Sequence, residues 1–489
     1  MERRIAAGAA WTAASNWIEQ ALAFAVFVAI ARFIGADAFG VAAMALAFIM
    51  LGEVLLRDTL AEGLISADAV ERGREDAVFW ALIAFGAALV AALAFAAPFA
   101  AKMFGDARVA PVMQAMAPTC IFVAISGVPT AKLRRDMAFK TLAIRAIAGV
   151  VCGGAVGLYM AANGYGAWSL VGQRLALTGV NAVLAATGAR WLPAGAPWSV
   201  DYSLVKGLGP RVVALRSLTI VIMQTPVVAL GVVSSASSVA MYSFAARIVE
   251  IVIFLIVAPL KRVIQPAAAA MRRAGGDTRS LFADVTAIAA LAAFALFAGL
   301  AFVGQTFIDL TMGEEWRLAG AIIAPLCAAG ALTALIEIQE GYLLALDRSS
   351  RFLRATFAEA AIGVALVALA SSAGPVAAAG AVAARAAIMA PIRTAAALSA
   401  ENIAPGRYIR NLSGPFAAAC AMALVLYFWR GFAAGRIDAL AYLVSTVLLG
   451  GASFIGAASV ATPSTFKRLR VYLVREPRSA TGRNAHAGE

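Results

Sequence analysis

The amino-acid sequence predicts an all-α polytopic membrane protein of about fourteen transmembrane helices. Three observations carry that prediction. Mean hydropathy is +0.86 and only 14% of the 489 residues are charged, too little polar surface for a soluble chain of this length. The apolar residues come in runs of roughly 20, the length that crosses a hydrocarbon core. The charges gather in short runs between those stretches, as in loops facing anionic lipid.

Taken in order, the candidate spans lie near 8–32, 38–56, 78–101, 109–129, 142–162, 166–189, 209–232, 237–260, 283–309, 317–344, 353–372, 375–398, 414–431 and 438–461. The first has a basic start, but it is long and contains Asn16, Glu19 and Gln20, so it is expected to be retained rather than cleaved as a signal. Residues 57–77, 190–208, 261–282 and 399–413 are the longer expected loops, and 463–489 form a polar, basic tail. Gly is abundant, at 42 residues, and Ala dominates many segments, which suits helices that must approach closely inside a bilayer.

Lysine and arginine fix an expected orientation. With the N-terminus placed in the cytoplasm, alternate loops and the span ends beside them hold about 29 of the 40 basic residues. The opposite loops hold about six: Arg32, Lys102, Arg108, Arg317, Arg430 and Arg436. This bias places both termini in the cytoplasm. It also explains the net charge of +13 without nucleic acid, which is not an expected partner. Most of the basic knot "AKLRRDMAFKTLAIR" (131–145) is then topological: Lys132, Arg134, Arg135 and Lys140 anchor a cytoplasmic loop, and Arg145 is left inside the next span.

The chain resembles itself at an offset near 200–213 residues. "AIARFIGADAFGVAAMALAFI" (29–49) pairs with "ALGVVSSASSVAMYSFAARIV" (229–249), and "LRRDMAFKTLAIR" (133–145) with "LDRSSRFLRATFA" (346–358). "NGYGAWSLVGQRLAL" (163–177) pairs with "AGPVAAAGAVAARAAI" (373–388). The order of the matches predicts an N-terminal six-helix lobe at 1–190 and a C-terminal six-helix lobe at 191–400. Two additional transmembrane helices at 401–462 stand outside the repeat. An even number of spans per copy gives both lobes one orientation, an architecture that rocks around a site between them.

Five arginines fall inside predicted spans: Arg145, Arg174, Arg216, Arg247 and Arg385. Arg211, Arg354 and Arg393 are grouped with the loops. A mid-span arginine costs about 2.5 to 3.5 kcal/mol to insert, so these side chains should face a watery cavity or a partner. Spread over both lobes, they predict a cationic cavity for an anionic cargo, phosphate above all, because the planar guanidinium fork matches it. Glu19, Glu53, Glu250, Glu337, Glu340 and Glu359 are also embedded. Arg247 and Glu250 are three apart and suited to pairing on one helix face. Glu337 and Glu340 share a face in "ALIEIQEGYLL", which fits either a cation- or proton-coupling site or a packed polar seam.

Chemistry other than transport finds no support. There is no Gly-Lys-Ser/Thr phosphate loop, the one histidine, His486, is in the tail, and Cys120, Cys152, Cys327 and Cys420 lie in apolar runs without metal spacing. No enzyme activity and no cofactor or metal is expected. The expected outside loops are too short for the catalytic domain of a membrane glycosyltransferase.

Over roughly residues 1–460 the sequence resembles the Wzx-type, colanic-acid-exporter-like polysaccharide transporters of the multidrug/oligosaccharidyl-lipid/polysaccharide flippase superfamily. The likeness is carried by "FIGADAFGVAAMALAFI" (33–49), "DTLAEGLISADAVERGREDAVFW" (58–80), "LRRDMAFKTLAIR" (133–145) and "NGYGAWSLVGQRL" (163–175). Further on it is carried by "MYSFAARIVEIVIFLIVAPLKRVIQPAAAAMRR" (241–273) and "GYLLALDRSSRF" (341–352). The resemblance implies translocation of a polyprenyl-diphosphate-linked oligosaccharide across a bacterial inner membrane for surface polysaccharide, including lipopolysaccharide or exopolysaccharide. It implies alternating access without ATP. The partners it implies are the lipid-linked glycan, membrane lipid, and the polysaccharide polymerase and export machinery. A lipid II-type flippase, a multidrug exporter of the same superfamily and a non-transporting assembly scaffold are the alternatives.

Overall fold

In the computed structural model the described residues, which are 2–57, 64, 71–205, 210–273, 278–345, 350–433 and 435–463, are mostly helical and include no strand. The tail 464–489, the centre of the expected loop 57–77, and residues 346–349 with the repeat position Arg348 lie outside them. The elements are α1 (Glu2–Arg57), α2 (Arg72–Phe104), α3 (Val109–Met116), α4 (Thr119–Arg135), α5 (Phe139–Ala162), α6 (Trp168–Ala189), α7 (Pro210–Val233) and α8 (Ala236–Arg273). They continue as α9 (Thr278–Thr311), α10 (Arg317–Ala345), α11 (Ser350–Ser371), α12 (Pro375–Glu401), α13 (Pro405–Ala433) and α14 (Ala439–Ala461).

The fourteen expected spans fall on helices, the fourth across α3 and α4 together, and eleven candidate spans among the described residues are long and apolar enough to cross a bilayer. The protein is a multi-pass membrane protein. The difference in count has physical causes. α1 carries two expected spans joined at Gly35, where φ is 76° and the helix breaks. α6 is made too polar by Gln173, Arg174 and Asn181, and the apolar part of α11, Ala355–Ser371, falls just short in length.

Two expected loops are mostly helix. α8 runs on to Arg273 and α9 begins at Thr278, so little of 261–282 is a turn. Lys261 and Arg262 look like loop charges, but past Pro266 the alanine-rich "AAAAMRR" (267–273) has strong helix propensity. The region 399–413 is likewise helical apart from a short turn, since Pro405 opens α13 at the first position, where its missing N–H costs nothing.

The chain packs as two compact units. The first comprises Met1–Leu255, Gly304–Ala329 and Ser350–Arg393. Within it α5 is wedged between α6 and α1 by glycine. Gly149, Gly153 and Gly157 form one stripe at four-residue spacing, and a Cβ on Gly153 would lie 2.8 Å from the Gln173 carbonyl oxygen and 3.2 Å from the Leu177 Cα. Gly154, on the adjoining face, meets Val26 of α1. With no hydrophobic drive between helices in lipid, such close backbone approach supplies the packing energy.

The segment after α6 is fastened to the start of α2. Trp191 donates to Glu75 Oε2 at 2.7 Å, and the backbone N–H groups of Ala194 and Gly195 donate to Asp76 Oδ2 at 3.1 and 2.8 Å. Trp80 donates back to the Gly195 carbonyl at 2.8 Å, and Lys132 lies 3.6 Å from Glu75. Glu75, Asp76 and Trp191 are all buried. At the opposite end of the helices, Arg108 forks onto Asp37 at 2.5 and 3.0 Å and onto Asp106 at 2.7 Å. The Arg108 hydrogen bonds hold the Asp106 carboxyl below the usual carboxylate range.

The second unit comprises Ile256–Val303, Gly330–Ser349 and Thr394–Glu489. Its core is Leu291 of α9 against Ala418, Met422 and Leu426 of α13 and Phe454 and Ala458 of α14. A polar seam crosses it: Gln339 donates to the Tyr408 hydroxyl at 2.8 Å and exchanges a hydrogen bond with Thr394, and Tyr342 donates to the Thr278 carbonyl.

Candidate functional site

The embedded charges resolve into ion pairs and one cavity. Arg174 of α6 donates through both arms of its fork to Glu53 of α1, at 3.3 and 2.6 Å, and Glu53 is almost completely buried, its side chain only 3% exposed. Arg57, one turn further along α1, reaches the same carboxylate at 3.2 Å. Glu359 of α11 accepts from Arg393 at 2.6 Å and lies 3.8 Å from Arg385, all three side chains being nearly buried. Arg247 and Glu250 pair at 3.4 Å, as their spacing predicts. Lys261 donates to Glu337 at 2.9 Å. Glu340 is half-buried on the same helix, and Arg216 is exposed on α7.

Arg145 is different. Its Nη1 donates to the Thr130 hydroxyl at 2.6 Å, and its Nε is buried without a protein acceptor. It lines an open cavity of about 230 Å³ between α1, α4, α5 and α6, with Glu19, Arg57, Arg134, Ser126, Thr178 and Asn181 in the wall. Asn181 Oδ1 is also buried without a partner, while its amide nitrogen donates to the Leu177 carbonyl. Arg57, Arg134 and Arg145 therefore share the cavity wall with one carboxylate, Glu19, a formal excess of two positive charges.

The five sequence-selected arginines are thus not gathered in one place. Arg145 faces the cavity, Arg174 and Arg385 are held in nearly buried pairs, and Arg247 in a half-exposed one. Two members of the basic chamber, Arg57 and Arg134, count as topological loop charges in the sequence. Their stems extend the helices beyond the apolar run, which composition alone does not separate from a loop. Arg393, also grouped with the loops, is a buried partner of Glu359. Its only sequence signal is the spacing to Arg385, two turns of one helix.

The embedded carboxylates have fixed cations close by. Glu53, Glu250, Glu337 and Glu359 each have a guanidinium or ammonium within 4 Å. A mobile cation would have to displace one of these side chains. Glu19 looks onto the chamber beside Arg145 and Arg57. Among the described residues no cluster of three or more His, Cys, Asp or Glu side chains is placed to hold a metal.

Comparison with solved structures shows the fold. The chain superimposes on the lipid II flippase MurJ in an inward closed conformation with a TM-score of 0.71 and 12% identity, covering 95% of this chain and all of that one. It is also similar to an inward-facing multidrug resistance MATE family transporter of the MOP superfamily, with a TM-score of 0.57, 13% identity, and coverage of 78% and 94%. Comparison of the sequence with curated proteins gives no match. A protein-family comparison matches residues 29–320, well over half of the chain, to the family described as polysaccharide biosynthesis protein. With that match running from α1 to the start of α10, this all-α membrane chain belongs to the polysaccharide biosynthesis protein family.

Proposed function

We propose that this protein is a flippase that carries a polyprenyl-diphosphate-linked oligosaccharide across a bacterial inner membrane for surface polysaccharide assembly. Both termini face the cytoplasm in this reading, and the halves 1–190 and 191–400 alternate in access around the cargo without hydrolysing ATP. The observation that carries it is the basic chamber. Arg145, Arg57 and Arg134 line one cavity at the ends of their spans, where their donors can make charge-assisted hydrogen bonds to a diphosphate. Arg174 and Arg385 hold the helices around the passage, and Arg216 and Arg247 supply further cationic positions. The polyprenyl tail stays in lipid, since a chain with so much exposed apolar surface offers the bilayer side as its path.

Membership of a polysaccharide biosynthesis family supports the cargo class, and the likeness to a lipid II flippase supports the mode of movement. A drug exporter with a cationic cargo fits the chamber poorly, because three arginines against one glutamate repel it. A purely structural scaffold has no use for such a chamber.

Deletion of the gene in its own host tests the proposal. Surface polymer is expected to be lost while lipid-linked repeat units accumulate in the cytoplasmic leaflet, with cell-wall synthesis intact. Unchanged polymer contradicts the reading, and a block in peptidoglycan synthesis instead points to lipid II as the cargo.

A further inference from the structure

The break in α1 has a partner that neither the sequence pattern nor the family match assigns. At Gly35 the backbone turns out of the helix, and the N–H of buried Ala36 loses its helical acceptor. Glu315, in the turn between α9 and α10, accepts that N–H through Oε1 at 2.7 Å. Glycine serves twice here, allowing the positive φ and leaving room for the carboxylate, which would stand 3.3 Å from a Cβ. The reverse contact also exists. The carbonyl of Thr311, orphaned at the end of α9, accepts from Arg32 Nη1 at 2.7 Å. Each chain break is capped by a charged side chain from the other segment.

Apolar packing backs the exchange. Trp316 and Phe244 are buried with ring centroids 5.0 Å apart, Phe39 meets Trp316 at 5.6 Å, and Phe27 meets Phe244 at 5.2 Å. Gly40 lies directly against the backbone of Ala236, where any side chain would collide. On its other side the same segment of α1 is bolted to its own half by the Arg108–Asp37 fork. The asymmetry matters. If residues 1–190 and 191–400 part at this end, Arg108 keeps its hold on Asp37, while the Glu315 and Arg32 contacts and the packing of Phe27 and Phe39 against Phe244 and Trp316 must break. Arg57, beside the basic chamber, follows Gly35 by 22 helical residues, about 33 Å, and so stands at the opposite membrane face.

We infer that Glu315 and Arg32 form a reciprocal backbone latch that keeps this face of the protein shut, and that its release opens the path to that side. The inference rests on the two-half alternating-access reading, but its test uses no glycan and so fails separately from the cargo assignment. Spin labels at Lys102→Cys and Leu318→Cys, both at this end, report the separation in detergent and in lipid nanodiscs, with the four native cysteines replaced by alanine. The parent is expected to show mainly one short distance. Glu315→Ala with Arg32→Ala should raise the longer-distance population about tenfold, each single change giving a smaller shift the same way. Glu315→Gln, which still offers an oxygen to Ala36, should restore most of the short distance. A double variant that melts earlier yet keeps the parental distance distribution overturns the latch, as does a distribution shifted to shorter distances.

Discussion

Arg174→Ala is expected to be among the most damaging single changes in the chain, lowering stability by about 3 kcal/mol. The reason is the glutamate it leaves behind. Glu53 is 3% exposed in its side chain and receives both arms of the Arg174 fork. Removing one partner of a buried pair typically costs about 3–5 kcal/mol, because the other charge stays desolvated. Arg57, at 3.2 Å from the same carboxylate, keeps the loss near the lower end. Replacing both partners, Glu53→Gln with Arg174→Gln, removes the orphan and should recover most of the stability. Thermal unfolding of the purified variants in one detergent checks this. Equal losses in the single and double variants would show that the pair does not carry the coupling assigned to it.

Gly153→Leu is expected to prevent stable folding altogether. Even the Cβ of alanine would stand 2.8 Å from the Gln173 carbonyl oxygen and 2.9 Å from the Leu177 Cβ, so backbone, not a flexible side-chain tip, has to move. Overpacking of this kind costs about 1–3 kcal/mol for the first added carbons, and leucine adds three more. It would force α5 away from α6 and open the wall of the basic chamber between Arg145 and Asn181. Gly456→Leu is the control, since that glycine is exposed on α14 with nothing within 4 Å of its Cβ position. Size-exclusion profiles of fluorescent fusions should show a monodisperse peak for the control and none for Gly153→Leu. A normal peak for both would mean that the helices are not as closely apposed as the stripe requires.

Hydropathy made the helical fold legible, because a bilayer admits few alternatives to long apolar helices. The corner at "FIGADAFG" was legible for the same reason: a glycine followed by a polar turn interrupts an otherwise unbroken apolar run. Local pairs were also within reach, as the three-residue spacing of Arg247 and Glu250 shows. Pairs across 121 residues, such as Glu53 with Arg174, leave no trace in spacing and emerge only when α1 and α6 pack. Arg57 and Arg134 were hidden by their position at span ends, where topological bias and a binding role call for the same residue type. The cap from Glu315 to the Ala36 N–H was beyond sequence reading, since its acceptor serves a backbone group that every residue carries.

The most direct measurement is flipping by the purified protein in proteoliposomes loaded with a polyprenyl-diphosphate oligosaccharide, followed by access of an external glycosidase to the sugar. Arg145→Gln combined with Arg134→Gln, which leaves the Glu53 pair intact, should slow appearance of the sugar at the outer leaflet at least about tenfold while the protein remains folded. A folded double variant that flips the glycan at the parental rate would contradict the basic chamber as the seat of the diphosphate.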